Sequence, residues 1–399
     1  ATIVNAEGRC GEESTFTVSA MRAVGIPARQ VYTPRWAHTD SDHAWVEVWI
    51  DGDWEFLGAC EPEPELNVAW FNQPATRALL MHTRVRGDYH GKEDVIQRTN
   101  CFTEINVIDN YAPVRKTKVK VVDAEGQAVE GALVEYKIFN YGEFNSVVKL
   151  HTDSAGETTI HSGLGDMLVW ASCDGRFGFG KLSGEELTIS LKYKDGDIFS
   201  FTEDVIPPVQ GELPVKLTEE QIAHNKVRFA YEDSIRLAYV ATFATKATLE
   251  GYTPREQRLI IGARGNWRTI KSFIDSAEGE ERQRALALLE NISAKDLHDT
   301  QLDVLNDALN STRKAELDAI YCRYILSPRI AQEFLQPYRT QIRETLSKEI
   351  GTADPSAQNI IAWCVEHITL CDEYNPIALQ TTPAGVLRLR AADSASRDR

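Results

Sequence analysis

A cysteine, a histidine and a carboxylate follow one another between residues 8 and 62. Cys10 lies in Gly8-Arg9-Cys10-Gly11-Glu12, His43 in Asp42-His43-Ala44-Trp45, and Glu61 in Glu61-Pro62. Such a set supplies a nucleophile, its base and a group to orient the base, which is what thiol-dependent acyl transfer requires. A histidine beside a thiol can hold it as thiolate and later protonate the leaving group. After Cys10, Phe16, Ala20 and Val24, with Met21, recur at helical spacing and predict a helix that buries this stripe. Gly25-Ile26-Pro27 then stops it. Cys10 therefore falls at a helix start, where unpaired N–H groups and the helix dipole favour an anion. A buried structural cysteine is the alternative and the commoner fate of this residue.

Strands must carry the other two residues. Ala28–Tyr32 reads as one, and Val46, Val48 and Ile50 alternate with Glu47 and Trp49 in a second that His43 opens. Asp51-Gly52 is a hairpin turn signal, and Trp54–Leu57 returns as the partner strand, with Glu61 beyond it. A helix start, a strand start and the end of the next strand can meet at one end of a sheet.

Gly8-x-Cys10-Gly-Glu, Arg22-Ala-Val-Gly-Ile-Pro-Ala-Arg29, His43-Ala-Trp45-Val-Glu-Val and Gly52-Asp-Trp54, in this order, resemble the transglutaminase-like superfamily. That family includes transglutaminases, peptide N-glycanases and bacterial cysteine peptidases. The resemblance implies a papain-like core with a Cys-His-Asp triad, Cys10 as nucleophile and His43 as base. The third position departs from the pattern. The family usually has Trp, a short strand and Asp-Pro, whereas this chain has Trp54-Glu-Phe-Leu-Gly-Ala-Cys-Glu61-Pro62, so Glu61 is the candidate orienting group. The family also draws an oxyanion-stabilising side chain from upstream of the cysteine. This chain starts at Ala1 and runs almost directly into the helix, so the expectation is a core truncated at its N-terminus.

Around the triad, Arg35 and Trp36, with Asp42 and Trp45 beside the histidine, are candidate substrate-binding residues. Arg35-Trp36 and Trp70-Phe71 read equally as cleft lining or as core aromatics. His38, Asp40, Asp42 and His43 lie close enough for a metal, but nothing nearby completes a ligand set, and neither metal nor cofactor is expected. Cys60 is a rival nucleophile without a helix start, and reads as a small buried side chain.

The chain has 399 residues, enough for several domains, and its hydrophobic (43%) and charged (26%) content is that of an ordinary globular protein. Forty-three basic against fifty-nine acidic residues give a net charge of −16, which argues against nucleic-acid partners and anionic membrane surfaces. No apolar run is long enough to cross a bilayer. Seven scattered cysteines form neither a disulfide framework nor a zinc pattern.

These features predict a multidomain α+β protein. Residues 1–111 form the truncated catalytic core, in which Thr83–Asp94 reads as a polar loop, Cys101–Ile108 as a strand, and His82 and His90 as surface histidines. Short strands and regular turn signals in residues 112–200 predict a β-sandwich. Its Val121–Val134 stretch resembles carboxypeptidase-regulatory-like, Ig-like modules of bacterial exported proteins, which implies a scaffold and leans towards an extracytoplasmic place. The glycines of Gly175–Lys181 read as a closely packed strand. Residues 201–217 read as a linker. The capping box Thr218–Gln221 opens an α-helical domain, residues 218–380, in which Ile222, Phe229, Ile235, Leu237 and Val240 form the first apolar face. Residues 381–399 are either a frayed tail or the start of a second, cysteine-less module.

The function expected is acyl transfer on peptide or protein amide bonds through a Cys10 thioester, by hydrolysis or transamidation. The alternatives are a peptide- or glycan-binding module with a retired cleft, and a helical docking protein. The oligomeric state is left open by the sequence.

Overall fold

The computed structural model describes residues 2–99, 102–212, 216–371 and 382–397. Two compact units divide the chain: residues 8–230, and residues 1–7 together with 231–399. Helix α1 (Thr2–Asn5) belongs to the second unit, and the first opens with helix α2 (Cys10–Ala23).

A six-stranded sheet follows, built from β1 (Ala28–Thr33), β2 (His43–Ile50), β3 (Asp53–Leu57), β4 (His82–Arg86), β5 (Val95–Arg98) and β6 (Phe102–Asn106), with helix α3 (Asn72–Ala75) between β3 and β4. The strand order is β3-β2-β1-β4-β6-β5. Asp51 and Gly52 both have positive φ, 52° and 103°, the two-residue turn whose twist suits a hairpin. Alternation along β2 gives the sheet two distinct faces. Trp45, with Val31 of β1 and Phe56 of β3, joins Phe71, Met81 and Ile105 in one core, while Ala28, Val46 and Val48 receive Val18 and Met21 of α2 on the other side.

Of the polar loop expected over Thr83–Asp94, residues 83–86 instead belong to a central strand, and residues 87–94 form the loop. β4 pairs with both β1 and β6, and the polar groups of His82 and Arg84 are met by Glu104 of β6. The strand expected over Cys101–Ile108 is present as β6, and Cys101 lies outside the described residues.

Eight strands then form two facing sheets: β7 (Val114–Val122), β8 (Leu133–Asn140), β9 (Glu143–His151), β10 (Glu157–Gly163), β11 (Met167–Cys173), β12 (Arg176–Leu182), β13 (Glu186–Ser190) and β14 (Tyr193–Lys194). The orders are β10-β7-β13 and β14-β12-β11-β8-β9. Their inner faces share one core, including Val119, Tyr136, Ile160, Val169 and Ile189, to which Leu79 and Leu80 from before β4 also contribute. Gly178 of β12 is held against β13: a Cβ there would stand 2.2 Å from the Ser190 carbonyl oxygen.

Residues 195–212 are tied down along their length. Phe199 stacks on Phe179 at 5.1 Å, the Asp166 carboxylate accepts from the Ile206 N–H at 3.1 Å, and Arg77 donates to the Pro208 carbonyl at 3.0 Å. The expected linker is thus a pinned strap over the part described; residues 213–215 lie outside it. Helix α4 (Glu219–Val240) begins with the anticipated capping box, in which Gln221 N–H donates to Thr218 Oγ1 at 3.2 Å. Its apolar residues do not build the expected face, for Ile222, Ile235 and Leu237 are exposed.

The second unit packs α5 (Pro254–Gly262), α6 (Trp267–Asp275), α7 (Gly279–Glu290), α8 (Ala294–Asp299) and α9 (Leu302–Ser311) around Ile260, Ile270, Phe273, Leu288 and Leu305. A π-helical turn, Tyr321–Leu326, follows. A smaller core forms between α10 (Arg339–Ile350), α11 (Ala357–His367), α12 (Pro383–Leu389) and a parallel bridge of β15 (Thr369–Leu370) with β16 (Ala391–Ala392), before α13 (Ser394–Arg397). Residues 382–397 are therefore packed, not frayed; residues 381, 398 and 399 lie outside the described part.

Candidate active site

Cys10 is the first residue of α2, and the Glu12 carboxylate accepts from the Arg9 N–H at 2.9 Å to close the helix start. The phase of the helix differs from the sequence expectation. Phe16 and Val24 are 46% and 74% exposed, whereas Ser14 is fully buried and Val18 and Met21 meet the sheet. Cys10, Ser14, Val18 and Met21 stand at i, i+4, i+8 and i+11, one helical face. The small Ser14, whose hydroxyl donates to the Cys10 carbonyl at 2.5 Å, lets the first turns approach the sheet. Cys10 thus lies, half-buried, on the sheet-facing stripe.

The helix runs antiparallel to β1. Gln30 Nε2 donates to the Gly11 carbonyl at 2.9 Å, and Arg22 Nε donates to the Ala28 carbonyl at 2.8 Å. The start of α2 therefore points towards the end of the sheet where Thr33 pairs with His43. His43 is 8% exposed, its ring 4.8 Å from Trp70, 4.9 Å from Phe71 and 5.9 Å from Trp45. Burial pushes the imidazole down to about 4, opposed by the nearby Asp42 charge. It is neutral at pH 7, and so able to accept a proton. Among the described residues, no hydrogen bond joins Cys10 to His43.

Beyond β3 the chain turns back over this end of the sheet. Cys60 hydrogen-bonds Glu13 of α2's first turn. Its thiol is pushed well up by burial, by that bond and by the charges of Glu13, Glu61 and Cys10, so it makes a poor nucleophile. Glu61 is exposed and does not hydrogen-bond His43; it accepts from the Trp70 indole instead. Partial burial of its carboxyl, then the Glu13 charge, raises its pKa above the ordinary range, and the Trp70 bond offsets part of this. Glu61 therefore reaches His43 through Trp70. The loop that carries it is braced by α4, for Asn225 Nδ2 donates to Glu63 at 2.5 Å and Arg228 donates to the Pro62 carbonyl.

Two of the substrate-binding candidates are core residues. Trp36 is 2% and Trp45 0% exposed. Trp45 Nε1 donates to the Tyr111 hydroxyl at 2.8 Å, and that hydroxyl donates to Glu47 at 2.6 Å. Glu47 pairs with Arg29 at 2.5 Å. Trp45 forms the floor beneath His43. Arg35 is half-buried and Asp42 exposed, so both remain able to meet a ligand. Of the aromatic pair, Trp70 is on the surface and Phe71 is buried. Asp40, from the proposed metal cluster, accepts from the Tyr141 N–H at 2.7 Å. Among the described residues, no three His, Cys, Asp or Glu side chains converge as metal ligands.

His82, read as a surface residue, is 2% exposed. Its Nδ1 lies 3.1 Å from Glu104 Oε1, the Tyr32 hydroxyl donates to the same oxygen at 2.6 Å, and Arg84 Nε donates to Oε2 at 2.9 Å. Burial alone would raise the Glu104 carboxyl, but bonds from His82, Tyr32 and Arg84 hold it at about 2. Tyr32, facing the same way as Ala28 and Gln30, places this network on the α2 side of the sheet.

No curated protein matches the chain. A Streptococcal ancillary pilin of known structure is 10% identical, with a TM-score of 0.17, over 45% of this chain and 65% of that one. This chain thus spans less than two thirds of that protein, and the likeness carries no argument. Residues 1–58 match the model of the transglutaminase-like superfamily, a stretch that contains Cys10 and His43 and stops short of Cys60 and Glu61.

Proposed function

We propose that residues 8–62 form a thiol-dependent acyl-transfer site acting on peptide or protein amide bonds. One observation carries this reading. Cys10 opens α2 and His43 opens β2 at one end of the same sheet, His43 in phase with Trp45 on the face away from α2, within the stretch that resembles the transglutaminase-like family. Cys10 Sγ attacks the substrate carbonyl carbon as neutral His43 takes the thiol proton. The C–N bond then breaks as His43 returns that proton to the leaving nitrogen, and a thioester remains on Cys10. Water or an amine attacks the thioester, gives its proton to His43, and the thiol is released with the acid or the new amide. The Cys10 N–H at the start of α2 is the oxyanion donor in this chain. Asp42 supports the imidazolium formed in passing, and Glu61 is a positioning residue that acts by holding Trp70 against the imidazole. The two-sheet segment β7–β14 serves as scaffold, in an Ig-like reading that favours a place outside the bacterial cytoplasm.

A second reading, a binding module with a retired cleft, is favoured by the lack of a Cys10–His43 hydrogen bond and by the turn of Glu61 to Trp70. p-Nitrophenyl acetate separates the two. The acyl-transfer reading expects a burst of p-nitrophenol and an acetyl group on Cys10 by peptide mass spectrometry. Cys10→Ala abolishes the burst, and His43→Gln slows it by about 100-fold or more. A burst that persists in Cys10→Ala, or no burst from the wild type, would sink it.

A further inference from the structure

The second unit holds a pocket of about 850 Å³ between the π-helical turn and helix α10, within the size range of small-molecule sites. In a chain of net charge −16 its lining is basic: Arg313, Lys314, Arg339 and Arg343 face one carboxylate, Asp354. Two of these cations are already neutralised, Arg313 by Asp354 and Lys314 by Glu281. The other two are not. Arg339 donates to Thr312 Oγ1 at 3.0 Å, to the Ile325 carbonyl at 2.6 Å and to the Ser327 carbonyl. Among the described residues, Arg343 makes a single hydrogen bond, to the Ser311 carbonyl, and neither guanidinium pairs with a carboxylate. Asp307, the nearest acid on α9, is engaged by the Arg339 and Thr340 backbone N–H groups at the start of α10.

Arg339 and Arg343 stand four residues apart on α10 and so share one face. Backbone carbonyls orient them, but these dipoles leave two positive charges unmatched, and guanidinium forks suit phosphate or carboxylate oxygens. Beside them Ser311 is 6% exposed, and among the described residues its buried hydroxyl has no partner, an unmet donor next to the pocket. The lining also includes Tyr324 and Ile325 of the π-helical turn, and Ile342 and Leu346 from the same helix as the two arginines. The ring of Tyr324 is largely exposed, with the Arg323 guanidinium 5.5 Å from its centroid, and its exposed surface can take a ligand ring.

We infer that this pocket binds a phosphorylated small molecule of nucleotide size, its phosphates on Arg343 and Arg339 and its ring against Tyr324. Calorimetric titration of the full chain with ADP, with pyrophosphate and adenosine as its two halves, tests this. ADP is expected to bind, pyrophosphate to compete with it, and adenosine to bind at least tenfold more weakly. Affinity should fall as salt is raised from 50 to 300 mM, as expected when ionic contacts dominate. Arg343→Gln, at an exposed position with one hydrogen bond, should weaken ADP at least tenfold with an unchanged circular dichroism spectrum. Arg343→Lys, which keeps the charge but not the fork, should fall between. Silence from both ADP and pyrophosphate, adenosine binding as tightly as ADP, or equal ADP affinity in wild type and Arg343→Gln would each overturn the assignment.

Discussion

His43 is neutral because it is buried, and that has a consequence for stability. Its folded pKa of about 4 lies below the unfolded value of 6.5. Between these values the unfolded chain binds the extra proton, so the stabilisation is complete above about pH 6.5 and is lost as pH falls towards 4. The loss reaches about 3 kcal/mol at most. In His43→Gln the fall in unfolding free energy across this window, from urea melts, should be smaller by that amount; parallel profiles would mean that His43 is solvated. Glu104 acts in a lower window, its stabilisation present above about pH 4.5 and lost on approach to pH 2. Glu104→Gln leaves Arg84, Tyr32 and His82 without their anion and should cost about 3 kcal/mol. Arg84→Met, at a half-exposed side chain, should cost about 1 kcal/mol or less. Equal losses in the two urea melts would contradict the central place given to the carboxylate.

At the scale of elements, the hairpin β2–β3 was legible because Asp51-Gly52 and strict alternation agree, and α2 because its stop signals are strong. The buried face of α2 was not. Phe16, Ala20 and Val24 have the better apolar spacing, yet the sheet requires a small residue at the close approach, and Ser14 provides it. His82 read as a surface histidine and Arg84 as a loop residue because their partner, Glu104, is twenty or more positions away and meets them only through strand pairing. Glu61 is a candidate from its place in the chain, but its link to Trp70 and the brace from Asn225 belong to tertiary contacts with no local signal. Asn225→Ala should therefore cost about 1–2 kcal/mol and speed hydrogen exchange in residues 61–66 without affecting β1 and β2; unchanged exchange there would remove α4 from the support of the site. Gly175–Lys181 read correctly as a close-packed strand. Gly178→Ala, whose Cβ would meet the Ser190 carbonyl at 2.2 Å, should cost about 3 kcal/mol in a thermal or urea melt, and a neutral result would mean that β13 can move aside.

At the scale of the whole molecule, chemistry is proposed at two separate places, a Cys-His site in the first unit and an anion pocket in the second. An acidic chain that still gathers four basic side chains around one pocket has placed them against its overall charge, which composition alone would hide. The first site decides what kind of protein this is. Its central claim is that Cys10 and His43 act as a pair, and peptide-resolved iodoacetamide alkylation of Cys10 across pH 5–10 tests that claim most directly. In the wild type the rate should rise well below pH 8, and in His43→Gln the profile should move up to that of an ordinary thiol. Superimposable profiles in the two proteins would contradict the pairing and leave a binding module with a retired cleft.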